Sequence, residues 1–165
     1  MQATATAKVL GPTQGQVAQL GGIGARFMVD GTESAGRFSL VEHPMAPRAL
    51  GAPLHRHTRE DEYSYVLMGR VGVQLGEEIV YGAPGDLIFK PRGQWHTFWT
   101  AGDEPARILE IISPAGFESY FERLGALFGA GSPPDPAALL AAAAEHELEV
   151  DLASIQRLME QHGLR

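Results

Sequence analysis

Up to about residue 113 this chain is cut into short strand-like pieces by glycine and proline, and that punctuation narrows its fold more than any other feature. The runs 25–30, 37–42, 62–68, 71–75, 78–81, 86–89, 96–100 and 107–112 are rich in β-branched and aromatic residues and are separated by turn residues. Short runs at such spacing predict an antiparallel sandwich or barrel. Met68-Gly69-Arg70 and Leu75-Gly76-Glu77 each put glycine where a tight reversal needs positive φ. Ala83-Pro84-Gly85-Asp86 has proline and glycine in the order of a type II turn.

Beyond residue 113 the texture turns helical. Phe117, Tyr120, Phe121, Leu124, Leu127 and Phe128 form one apolar stripe at helical spacing. Residues 129–134 break it, Asp135-Pro136 caps and starts a second helix, and the run 137–148 continues that helix. Asp151 is placed to cap a last helix bearing Leu152, Ile155, Leu158 and Met159, stopped by Gly163. The division predicted is a β-barrel over 1–113 and a helical extension over 114–165, packed on the barrel or on a partner subunit. A segment of about 50 residues makes a marginal core alone.

A chain of 165 residues is about one domain. It has no cysteine, which excludes disulfides, thiolate metal ligands and a cysteine nucleophile. The net charge of −7 comes with scattered basic residues, which argues against a nucleic-acid partner. No apolar run has the length of a membrane helix, and residues 1–8 hold no signal-peptide core, so the expected location is the cytoplasm.

Chemistry concentrates at two places. His55 and His57 are two apart, so on an extended strand they project to one face, and Glu62 follows a short turn. His96 lies in the second place, after Pro91 and Gly93. Imidazole nitrogen and carboxylate oxygen are donors for a divalent transition metal. Glu60 and Asp61 are the alternative carboxylates, and both are expected in a solvated turn.

The two places read G-x3-H-x-H-x4-E-x6-G and G-x5-P-x-G-x2-H, with 15 residues between Gly69 and Gly85. Over roughly residues 37–112 they resemble the two motifs of the cupin superfamily, in particular its small single-domain members similar to quercetin dioxygenase-like proteins. The resemblance implies an all-β, antiparallel jelly-roll barrel with one divalent transition metal inside, held by His55, His57, Glu62 and His96. Iron and manganese suit that donor set best, and nickel, copper, cobalt and zinc also fit it. The first motif has a shorter glycine-to-histidine gap than usual, and Thr100 stands where asparagine is common, which alters pocket polarity and not the ligand set.

Alternation from Glu62 puts Ser64, Val66 and Met68 on the inner face, and alternation from His96 puts Phe98 and Thr100 there. The pocket residues expected are therefore Ser64, Val66, Phe98 and Thr100, a mostly apolar wall for a small organic substrate, an aromatic one among the best fits. His43, His146 and His162 are assigned to the surface, as are Arg48 and Lys90. Tyr63, Tyr65, Trp95 and Trp99 face outward, toward the helices or a partner. The Phe117–Phe128 stripe is expected to dock on the barrel's outer face or on a second subunit, which favours a homodimer. The resemblance implies, as the first functional expectation, a dioxygenase-type oxygenase in which Glu62 also takes a substrate proton. The alternatives are a non-catalytic ligand-binding or sensing protein and a metal-assisted isomerase or lyase.

Overall fold

In the computed structural model of the protein, which describes residues 7–130 and 133–165, the strand-like runs form two facing antiparallel sheets. The first has the order β1 (Val17–Leu20), β2 (Ile23–Val29), β3 (Ser39–Met45), β10 (Ala106–Ser113), β5 (Asp61–Met68) and β8 (Leu87–Lys90). The second has the order β11 (Leu148–Asp151), β4 (Leu54–His57), β9 (His96–Thr100), β6 (Val71–Leu75) and β7 (Glu78–Gly82). Val41, Val66 and Ile108 of the first sheet meet Val71, Val73 and Phe98 of the second in one core. This is the expected all-β jelly roll, followed by helices α1 (Glu118–Phe128), α2 (Pro136–Glu145) and α3 (Ser154–His162). No helix among the described residues is long and apolar enough to cross a membrane.

Local sequence explains the strand ends. Gly85 has φ +97° and the Asp86 N–H donates to the Ala83 carbonyl at 2.9 Å, closing the turn between β7 and β8 as the Pro-Gly order requires. Along β10, Ala106, Ile108, Glu110 and Ile112 are buried and their neighbours only half-buried. On β5 the alternation holds from Glu62 through Ser64 to Val66 and then fails. Arg107 faces Met68 but Ile108 faces Val66, so Leu67 is an extra residue in the ladder. That bulge turns Met68 outward, 40% exposed, against the inner position that simple alternation assigned it.

The tail departs from the helical expectation at one point. The run 137–148 does not stay helical: α2 ends at Glu145, Glu147 takes a positive φ of 53°, and Leu148–Asp151 becomes a strand. It pairs antiparallel with β4, Leu148 opposite His57 and Val150 opposite His55. Without it, β4 would be a bare sheet edge. Asp135 caps α2 by accepting from the Ala137 N–H. Asp151 instead ends β11, accepting from the Ala153 N–H just ahead of α3, and Gly163 stops α3 in the left-handed region. Of the readings above, residues 1–6 and 131–132 lie outside the described residues.

Candidate metal centre

β4 and β9 are neighbours, with His55 directly opposite His96. His57, two residues on from His55, shares its inward face. Glu62 comes from β5 in the facing sheet, so the four side chains close on one point between the sheets. All four are buried, and one ligand atom from each lies within 4.8 Å of the others.

The outer ends of the imidazoles are already engaged. Nδ1–H of His55 donates to the Pro53 carbonyl at 2.8 Å, and Nδ1–H of His96 to the Gln94 carbonyl at 3.0 Å. The Nδ1 of His57 lies 3.4 Å from a Glu60 carboxylate oxygen. Carbonyls only accept, so His55 and His96 keep their lone pairs on Nε2. The His96 Nε2 then sits 3.1 Å, and the His57 Nε2 3.4 Å, from Glu62 oxygens. His57 Nε2 is buried with no hydrogen-bond partner among the described residues. Lone pairs converging on a carboxylate repel unless a cation lies among them. The donor set, the fixed tautomers and the orphaned nitrogen all fit a divalent transition metal.

Burial above all, helped by His96 and His57, holds the His55 imidazole well below its ordinary pKa. Burial likewise lowers His96, against the pull of Glu62. Both are therefore neutral at neutral pH, the form in which an imidazole can bind a metal.

Glu62 is set among charges. Lys90, directly across on β8, places Nζ 3.0 Å from Glu62 and 3.0 Å from Glu110. Burial opposes ionisation of Glu62, but Lys90, His57 and the His96 contact outweigh it and hold the carboxyl well below the ordinary range. Burial works against the Lys90 ammonium too, but Glu110 and Glu62 raise its pKa. Glu110 goes the other way: burial pushes its carboxyl up to about 7, with Lys90 opposing. Ser64 completes the cluster by donating to Glu110 at 2.8 Å.

A cavity of about 280 Å³ opens over this cluster. His55, Glu62, Glu110, His43 and Phe98 line it from the barrel. Phe117, Tyr120, Phe121, Leu124, Leu148 and Ile155 line it from the tail. The Phe117 ring meets His57 edge-on at 4.4 Å. The apolar stripe thus roofs the barrel's interior and does not lie on its outer face. A Cβ on Gly51 would overlap the Phe98 ring, so glycine there lets the ring lie against the backbone of the wall.

Residues 42–112 match the cupin domain family. The polyketide cyclase RemF from Streptomyces resistomycificus is 30% identical, with a TM-score of 0.56 over 66% of this chain and 80% of its own. This chain belongs to the cupin superfamily. KdgF from Halomonas sp. shares the fold at 21% identity, with a TM-score of 0.60 over 69% of this chain and 99% of that one. The tetracenomycin polyketide synthase protein TcmJ from Streptomyces glaucescens is 35% identical over 60 residues, 36% of this chain. The chain spans 40% of that relative's length.

Within this cupin barrel only one of the four expected pocket residues, Phe98, lines the cavity. Ser64, Val66 and Thr100 are buried on the inner face but away from the opening. Alternation tells which face a side chain takes, not how deep it lies. Four residues from Glu62 to Val66, or from His96 to Thr100, is about 13 Å of strand.

Three residues assigned to surface or solvated turns are buried: His43 and Lys90 at 1% exposure and Glu60 at 4%. His43 follows Val41 by two, and Lys90 follows Ile88 by two, so the same alternation marks both as inward. Glu110, between Ile108 and Ile112 on one face, carries the same signal. His146 and His162 are half-buried, and His162 stacks on Trp99 with ring centroids 3.9 Å apart.

Proposed function

We propose that this cupin is a metal-dependent enzyme that closes a small, largely apolar poly-oxo substrate into a ring. The observation that carries this reading is the cavity: a buried donor cluster of His55, His57, Glu62 and His96 beneath a wall of aromatic and aliphatic side chains. At about 280 Å³ it is near the lower end of small-ligand sites. Two relatives at 30% identity or more, named as a polyketide cyclase and a polyketide synthase protein, support a substrate of this class.

Ring closure removes a proton from carbon next to a carbonyl, joins that carbon to a second carbonyl, and loses water. A divalent ion held by the four side chains would supply Lewis acidity toward a carbonyl oxygen. Glu62, kept charged by Lys90, lines the cavity and is the carboxylate we assign as ligand and proton acceptor. Glu110, pushed up to about 7, is matched to hold and return a proton near neutral pH. Phe117, Tyr120 and Phe121 exclude water and stack the substrate in a folded shape.

The donor set also favours a second reading, the dioxygenase, because four protein ligands leave positions free on a five- or six-coordinate ion. One experiment separates them. Metal-loaded protein is mixed with a synthetic tri- or tetra-β-ketone in an oxygen-electrode cell, and products are followed by mass spectrometry. Loss of water without oxygen uptake supports the cyclase. Uptake matched to substrate consumption supports the oxygenase, and neither, with tight binding, leaves a binding protein. We also assign a homodimer, because Tyr65, Leu87 and Phe89 stand exposed on the outer face of β5 and β8. Sedimentation of the parent against a triple serine variant at these positions checks it, and two identical monomer profiles would reject it.

A further inference from the structure

Given the reading of the cavity as the substrate site, we propose that His43 selects the substrate by a hydroxyl: its Nε2 accepts a hydrogen bond from a phenolic or enolic O–H. His43 lies on β3, on the same inward face as Val41 and Met45, and lines the cavity while being 1% exposed. Its Nδ1 is 2.8 Å from the Gly24 carbonyl of β2, which only accepts, so Nδ1 carries the hydrogen and Nε2 the lone pair. Nε2 has no hydrogen-bond partner among the described residues. Phe121 meets the ring edge-on at 5.0 Å, and Phe98 lies 6.3 Å away, so the imidazole plane is fixed.

Burial foremost, with Lys90 contributing, lowers the His43 pKa to about 4, so at neutral pH the ring is an acceptor and not a cation. The charge of the site is carried by Glu62, Lys90 and Glu110, with Lys90 3.0 Å from each carboxylate. In the wall above them, His43 offers a neutral acceptor beside apolar side chains. A buried acceptor left unpaired disfavours a ligand that lacks the matching donor.

Calorimetry of the metal-loaded full chain with 2-naphthol and 2-methoxynaphthalene tests this. The parent should bind the naphthol about tenfold tighter, the worth of one hydrogen bond. His43→Phe should bind both alike, and His43→Gln, which keeps an acceptor, should recover part of the preference. Equal preference in the parent and in His43→Phe overturns the proposal and leaves the cavity reading standing. A preference that disappears on chelation and survives His43→Phe assigns the hydroxyl to the metal and also overturns it. If neither compound binds the parent, the cavity is not a substrate site and both readings fall. Should His43→Phe not fold, the 15N signal of Nε2 in the parent decides: it should move with 2-naphthol and stay with the ether, and no movement overturns the proposal.

Discussion

The barrel floor of the cavity buries charge, whereas the tail that roofs it buries rings. The floor holds Glu62, Lys90 and Glu110, each at 4% exposure or less, joined by contacts of 3.0 Å. Its geometry is fixed by strand register: Glu62 faces Lys90 on β8, Ser64 faces Glu110 on β10, and His55 faces His96 on β9. The roof has Phe117, Tyr120 and Phe121 within ring-contact distance of one another. The Tyr120 phenol, raised by burial to about 12, stays uncharged there. A charged floor tolerates little rearrangement, because every member must keep its partner. An aromatic roof tolerates change in shape as long as volume is kept. On the proposed function, the floor would carry the chemistry and the roof would shape the space above it.

Truncation after Ser113 should produce the largest effect. It removes buried Phe117, Leu148, Leu158 and Leu164 and strips β11 from the edge of β4. At roughly 1.5–3 kcal/mol per side chain the loss is on the order of 10 kcal/mol, comparable to the whole stability of a domain. Thermal melts by circular dichroism should show no cooperative transition. A truncated barrel that melts like the parent would reduce the roof to an appendage.

The double change His55→Ala with His57→Ala should abolish metal retention, read by elemental analysis, while the sheet signal in circular dichroism persists. Full metal occupancy after that change would refute the cluster.

Lys90→Met leaves Glu62 and Glu110 facing each other without their cation, an effect of about 3–5 kcal/mol. Phe117→Ala should cost about as much, roughly 3–5 kcal/mol, by emptying the roof. Metal tells the two apart. A bound cation offsets the loss at Lys90, so denaturant midpoints of Lys90→Met should recover on metal addition more than those of Phe117→Ala. Equal recovery would mean that floor and roof are not energetically separate.

The smallest effect concerns pH in the metal-free protein. Glu110 has its folded pKa raised to about 7 from 4.5, so between those values the native state keeps a proton that the unfolded chain has lost. The stability this contributes is full below pH 4.5 and is lost as pH rises through 7, on the order of 3 kcal/mol. Glu110→Gln should flatten that slope. His43, lowered to about 4 from 6.5, has the opposite sign: its contribution is present above pH 6.5 and lost as pH falls through 4. His43→Phe should therefore reduce the loss on acidification. Slopes unchanged in both variants would show that neither group is held as described.

The short strands, the turn at Gly85, the metal cluster and the start of α2 at Pro136 are all legible in the sequence, because each depends on a local period or on fixed spacing. The inward positions of His43, Lys90 and Glu110 were legible too, through the same alternation that marks Glu62 and Phe98; a charged or imidazole residue reads as surface only when its strand is ignored. The tertiary structure alone decided the rest. The bulge at Leu67 that turns Met68 outward comes from pairing with β10, and strand β11 exists because β4 offers an open edge. The Phe117–Phe128 stripe announces that α1 must be covered, but not by what; it covers the mouth of the barrel because the chain leaving β10 is carried back past β1 and down beside β4. Periodicity is a property of neighbours along the chain, whereas a cavity is enclosed by residues a hundred positions apart, and only the folded contacts bring those together.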